Sequence, residues 1–159
     1  MPGWSEEIAK EFVRLAEANR SCLNQMQLQK LVYIAHGWCL AATGQPLTGD
    51  RPEAWKFGPV YVRLASVLRS LGTSAVTLDL FSSGSTADLE TFEMDLIVMT
   101  WRDLGMLQAP QLAILTQGAG TPWKSIYANG AGEGRDIPHR LVADQFCEMA
   151  RDTVRKLAC

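Results

Sequence analysis

His36 and Cys39 are the two side chains whose types and spacing could support catalysis. Residues three positions apart on a helix are neighbours, so His36 could act as the base that activates a Cys39 nucleophile. The alternative is that Cys39 is a small core residue beside a hydrogen-bonded histidine, which is the commoner situation. The sequence contains no GxSxG, GxxxxGKS/T or HExxH motif. We therefore predict that the protein is not an enzyme.

Metal and phosphate chemistry find little support in the sequence. The two histidines, His36 and His139, are too few for a multi-histidine metal site. The glycine-rich run at residues 130–134 lacks the GxGxxG spacing, and we interpret it as a surface loop. No CxxC pair links the four cysteines, which are Cys22, Cys39, Cys147 and Cys159. We expect no cofactor, and reduced thiols typical of the cytoplasm.

Length and charge narrow the possible functions further. A chain of 159 residues is ordinarily one domain, so we expect a single domain over residues 1–159. A net charge of −2 argues against nucleic acid as a partner. No stretch reaches the roughly 20 apolar residues that cross a bilayer, and the N-terminus lacks the pattern of a secretory signal. We therefore expect a cytoplasmic protein with no membrane partner.

A central helix over residues 23–43 must position most of the candidate residues. Its apolar side chains cover nearly the whole circumference, which is typical of a helix buried in a core. Asn24 and Gln27 have the spacing of a capping box, and Gly44 is placed to end the helix. Its polar residues form one narrow seam, which consists of Gln25, Gln29, His36 and Thr43.

The remaining pattern predicts a mainly α protein with about six to seven helices around that central helix and at most a small β element. Besides the central helix, the predicted helices cover residues 5–19, 59–72, 89–104, 110–117 and 138–157, with a helical turn after Pro122. Gly58-Pro59 is interpreted as the start of the third helix because proline suits the first turn. Residues 54–57 are predicted to be extended, and the alternation in residues 73–80 indicates a short strand.

Several polar or aromatic residues have both a structural and a binding interpretation. Lys30 would either extend past apolar neighbours towards water, or act as a cation that is placed at a partner surface or paired with a carboxylate. Trp55-Lys56 and Trp123-Lys124 each put an indole beside a cation next to a helix start. The rings would either anchor the core or form an interface hot spot.

Two blocks of this sequence match a known pattern. The first block consists of three consecutive motifs: LQKLxYxAxGW, GxPL and EAWxxGPV. The residues of LQKLxYxAxGW are Leu28, Gln29, Lys30, Leu31, Tyr33, Ala35, Gly37 and Trp38. Those of GxPL are Gly44, Pro46 and Leu47, and those of EAWxxGPV are Glu53, Ala54, Trp55, Gly58, Pro59 and Val60. The second block consists of Leu115, Thr116, Pro122, Trp123, Ile137 and Pro138. With these residues the chain resembles the Panacea antitoxin domain family, which includes SocA-like and phage-associated GepA-like proteins. Family members often carry a histidine where this chain has Gln117.

The resemblance implies an antitoxin that neutralises a cognate toxin by direct protein–protein contact. Members of the family are similar to one another but are paired with unrelated toxins. The alternative that it implies is a proteolytic adaptor that delivers the bound toxin to a AAA+ protease. We predict that the partner surface includes the polar seam or the Trp55-Lys56 loop. The predicted partner-binding residues are Gln29, Lys30, Tyr33, His36, Trp55, Lys56, Tyr61 and Trp123.

Overall fold

The computed structural model describes residues 2–81 and 88–158. This part of the chain forms seven α-helices and one β-hairpin, which confirms the predicted mainly helical domain with a small β element. The elements are α1 Ser5–Ala18, α2 Gln25–Thr43, β1 Glu53–Trp55, β2 Gly58–Val60, α3 Val62–Leu68, α4 Thr91–Leu104, α5 Ala109–Gln117, α6 Pro122–Tyr127 and α7 His139–Ala158. Among the described helices, none combines the length and hydrophobicity that crossing a membrane would require.

Helix α2 is the central helix, and the local signals in its sequence define both its ends. Asn24 Oδ1 accepts from the Gln27 N–H at 2.8 Å, and Gln27 Oε1 accepts from the Asn24 N–H at 2.9 Å. This reciprocal pair satisfies two backbone donors that the first helical turn leaves free. Gly44 ends the helix in the left-handed conformation. Helices α1, α4, α5 and α7 pack around α2, so it is buried along most of its length.

The structure corrects two details of the sequence prediction. Residues Gly58–Val60 do not open a helix; they form β2 and pair antiparallel with β1, and α3 begins at Val62. Residues 73–80 are not a strand either, because they contain a single bridge at Ala75 and a 3-10 turn at Leu78–Leu80. The edge of β1 that faces away from β2 is also paired, because the Ala54 N–H donates to the Arg135 carbonyl oxygen at 2.8 Å.

The glycine-rich run at residues 130–134 contributes to that edge. The Gly134 N–H donates to the Ala54 carbonyl oxygen at 2.7 Å, and Glu53 forms an isolated bridge with Asp136. The run therefore delivers a third extended segment to a two-stranded hairpin. A hairpin alone is marginally stable in water, so this added pairing helps to hold it in place.

Helices α2 and α7 approach closely at Gly37, opposite Phe146. A Cβ atom at Gly37 would lie 2.4 Å from a carbon of the Phe146 ring, which is far inside van der Waals contact. The ring is buried and packs edge-on against Trp38, with ring centroids 5.0 Å apart. Glycine is therefore required at position 37 for this helix pair to pack.

We expect Gly37→Ala to destabilise the protein by about 1–3 kcal/mol, because the added methyl group overpacks the α2–α7 contact. Urea unfolding of Gly37→Ala, Phe146→Leu and the double variant measures the effect. The smaller Leu side chain should relieve the overlap, so the double variant should be less destabilised than the sum of the two single changes. Penalties that simply add would show that the ring does not cause the loss.

Candidate functional site

The eight predicted partner-binding residues fall into two groups in the folded protein. One group is buried in the core and consists of Gln29, Tyr33, His36 and Tyr61. The other group lies at or under the hairpin and consists of Lys30, Trp55, Lys56 and Trp123. The name hairpin tip is used below for three exposed residues: Trp55, which ends β1, and Lys56 and Phe57, which connect β1 to β2.

Gln29 binds the backbone of the residue that follows β2. Its Oε1 accepts from the Tyr61 N–H at 2.9 Å, and its Nε2 donates to the Tyr61 carbonyl oxygen at 3.1 Å. The side chain thus completes both backbone hydrogen bonds of Tyr61 where β2 ends and α3 has not begun. This long-range contact explains why the chain stays extended through Gly58-Pro59 instead of entering a helix.

The two buried tyrosines contribute ring packing to the same region. Tyr33 and Tyr61 are fully buried, and burial raises the pKa of both phenols. The Tyr33 ring lies edge-on to Phe146, with centroids 6.5 Å apart. The Tyr61 ring lies edge-on to His36 at 6.2 Å. Neither ring reaches solvent in this conformation, so both act in the core.

His36 is fully buried and links two distant parts of the chain. Its Nδ1 accepts from the backbone N–H groups of Leu47 and Thr48 at 3.3 and 3.4 Å. The other ring nitrogen, Nε2, must then carry the proton, and it donates to Nδ1 of His139 at 3.1 Å. Burial, together with the neighbouring His139, lowers the pKa of His36 to about 3, so the ring is neutral at pH 7.

Cys39 does not have the environment of an activated nucleophile. Its Sγ contacts Thr43 Oγ1 at 3.8 Å, whereas both ring nitrogens of His36 are occupied by the contacts described above. Burial raises the pKa of the Cys39 thiol, which disfavours the reactive thiolate. Within residues 2–81 and 88–158 we find no cluster of three or more His, Cys, Asp and Glu side chains that could hold a metal.

Lys30 is buried, with 3% of its surface exposed. Its Nζ donates to the Phe57 carbonyl oxygen at 3.0 Å and to Oε1 of Gln117 on α5. Desolvation lowers its pKa to about 8. A Cβ atom at Gly58 would lie 2.9 Å from Nζ, and Gly58 has a φ of +115°, so only glycine brings the hairpin this close to the lysine.

The hairpin tip is exposed but held firmly. Trp123 Nε1 donates to the Trp55 carbonyl oxygen at 2.8 Å, and the Trp55 indole donates to Glu53 Oε2 at 2.8 Å. Phe57 is 65% exposed, and Lys56 Nζ lies 5.4 Å from the centre of its ring. The tip therefore presents aromatic surface and a cation to solvent from a backbone fixed at both ends.

Sequence reasoning missed three residues of this region: Phe57, Gln117 and His139. Phe57 follows Trp55-Lys56 directly, and its position in a two-residue turn could have identified it. Gln117 was noted as a departure from the family pattern, but its partner lies 87 residues away and no local pattern connects it to Lys30. The contact of His139 with His36 spans 103 residues and is equally invisible in the sequence.

We expect the protein to lose stability as the pH falls from about 6.5 towards 3, because His36 binds a proton readily only after unfolding. Below pH 6.5 the His36 ring of the unfolded chain gains a proton, whereas the buried ring of the folded chain stays neutral. Each further fall of one pH unit therefore lowers the free energy of unfolding by about 1 kcal/mol. Urea unfolding at pH 7, 6 and 5 should show a shallower dependence for His36→Gln than for the unsubstituted protein. Equal slopes would contradict the assignment.

Comparisons with known proteins agree with the pattern described above. The family model for the antitoxin SocA-like Panacea domain matches residues 28–124, which run from the first turn of α2 through the hairpin, α3, α4 and α5 to the start of α6. Antitoxin SocA of Caulobacter vibrioides (strain NA1000 / CB15N) is 30% identical over 139 residues, covering 78% of this chain and 72% of SocA. No solved structure matches the chain significantly. The chain belongs to the SocA-like Panacea antitoxin family.

Proposed function

We propose that this protein is an antitoxin that neutralises a cognate toxin by direct binding, and that the hairpin tip is the centre of the contact surface. Membership of an antitoxin family supports the first part. The observation that carries the second part is the exposure of Phe57 and Trp55 on a turn whose backbone is fixed by Lys30 and Trp123. Binding of the toxin would bury the exposed rings of Phe57 and Trp55.

The chemistry of the tip suits a protein partner. Aromatic side chains dominate the residues whose loss weakens interfaces most, and they bind best when few of their rotations are lost on binding. Phe57 is 65% exposed and Trp55 is 38% exposed, while the neighbouring Lys56 adds a cation. The fixed backbone of the tip lowers the entropy lost on association.

The buried residues among the predicted set have another role in this proposal. Gln29, Tyr33, His36 and Tyr61 are enclosed, and three of them make the contacts that hold the loop and hairpin against α2. We propose that they support the contact surface from behind and do not touch the toxin. Lys30, Trp55, Lys56 and Trp123 are the residues that we place at or directly beneath the interface.

We expect co-expression of this protein with the product of the gene encoded beside it to restore growth that the product alone inhibits. The two proteins should also co-purify as a complex in size-exclusion chromatography. A neighbouring product that is harmless, or that remains toxic in the presence of this protein, would refute the antitoxin function.

We expect Phe57→Ala to weaken the complex by at least about 2 kcal/mol, as truncation of a central hot-spot aromatic does. The fold should survive, because Lys30 bonds to the backbone carbonyl of Phe57 and not to its ring. Phe92→Ala is the matched control, since Phe92 is 46% exposed on α4 beside the C-terminal end of α2. Isothermal titration calorimetry should show a loss for the first variant alone; a loss for Phe92→Ala alone would move the contact surface to α4.

A second candidate function is delivery of the bound toxin to a AAA+ protease. The observation that favours it is the exposed end of α7, where Leu157 is 81% exposed and Val154 is also largely exposed. The half-life of the toxin separates the two functions. If the protein delivers the toxin, the toxin should be degraded faster in its presence, and this effect should vanish in a strain without the protease. If the protein only inhibits the toxin, the half-life of the toxin should stay unchanged or become longer.

A further inference from the structure

Lys30 is a buried cation whose hydrogen-bond partners are both uncharged. Its Nζ donates to a backbone carbonyl oxygen of Phe57 and to the side-chain amide of Gln117. Within residues 2–81 and 88–158, no carboxylate lies within 4.0 Å of this nitrogen. An ammonium group has three N–H donors, so one donor is left beyond these two bonds. Burial of a charge without a counter-ion is costly, and desolvation is the cause of its lowered pKa.

A groove of about 240 Å³ opens beside this lysine. Its walls are mostly apolar and come from the start of α2, the hairpin and α3; they comprise Gln25, Met26, Gln29, Lys30, Phe57, Pro59, Val60 and Ala65. Met26 and Phe57 are both substantially exposed, so the groove is continuous with the surface of the hairpin tip. The site thus joins apolar walls to one unneutralised cation.

We propose that this groove receives an aspartate or glutamate side chain of the toxin, together with an adjacent apolar side chain, and that the carboxylate pairs with Lys30. The inference rests on the proposed function and names the chemistry of the partner at the same surface. The carboxylate supplies the missing negative charge and accepts the remaining N–H. The apolar neighbour covers Met26 and Phe57.

The composition of the groove selects this occupant over other anions. A phosphate group is usually held by several cations or by backbone N–H groups, whereas these walls offer one cation, Lys30, beside two neutral amides and otherwise apolar side chains. A single carboxylate matches the single charge. A volume of about 240 Å³ accommodates the ends of two side chains and not a folded element.

Two variants test the pairing from opposite directions. Lys30→Met removes the cation and keeps a side chain of similar length. Gln117→Glu places a carboxylate of this chain beside Nζ, where Gln117 Oε1 already accepts its hydrogen bond, so an internal ion pair should close the site. Gln111→Glu is the matched control, because it makes the same charge change on the same helix and keeps a side-chain acceptor for the Gln108 N–H.

Titration calorimetry with the product of the neighbouring gene should give a Kd at least tenfold higher for Lys30→Met and for Gln117→Glu, and within twofold for Gln111→Glu. Thermal unfolding of each variant accompanies the titration, and Gln117→Glu should unfold at the same temperature as the unsubstituted protein or higher. If Lys30→Met does not fold, Gln117→Glu decides the matter.

Proton uptake supplies a readout that a merely structural lysine would not give. Pairing with a carboxylate raises the pKa of Lys30, which is about 8 in the free protein. At pH 8, complex formation should therefore take up about half a proton, measured as the dependence of the binding enthalpy on the buffer, and Lys30→Met should abolish this uptake.

Replacement of each aspartate and glutamate of the toxin by its amide should identify one position that weakens binding to the unsubstituted protein but not to Lys30→Met. The inference is overturned if Lys30→Met and Gln117→Glu both bind within twofold of the unsubstituted protein, or if no acidic position shows this coupling. Failure of the unsubstituted protein to neutralise the toxin would instead refute the proposed function.

Discussion

The burial of α2 along most of its length is the constraint on which the rest of this structure depends. Polar side chains on the buried part of this helix cannot reach water, and three of them bind other elements instead. Gln29 therefore binds Tyr61, Lys30 binds the hairpin and α5, and His36 binds the loop after α2 and the start of α7. Because each contact joins a different segment, these three side chains fix the positions of segments that have little regular structure of their own.

The hairpin illustrates how far this constraint reaches. Its two strands are three residues each, too short to be stable alone. Lys30 holds the turn from below, Trp123 holds it from the side, and residues 134–136 pair with its outer edge. An exposed turn with three such supports keeps its shape in the absence of a partner, which is the property that a binding surface needs.

The sequence predicted α2 and its ends because the signals there are local: a capping box, an apolar circumference and a terminal glycine. The same local reasoning failed at Gly58-Pro59, where proline suits the first turn of a helix but the chain is extended. The deciding contact comes from Gln29, which lies 32 residues from Tyr61. The seam was predicted from the spacing of polar residues along α2, and whether its members face a partner or the core depends on long-range packing that no spacing encodes.

Within EAWxxGPV, the residues that hold the hairpin differ from the residues that its tip exposes. In EAWxxGPV, Trp55 carries a carbonyl bound by Trp123, and Gly58 permits the approach of Lys30. The two unspecified positions are Lys56 and Phe57, whose side chains face solvent. The residues that hold the turn are therefore distinct from the residues whose side chains the turn presents to solvent.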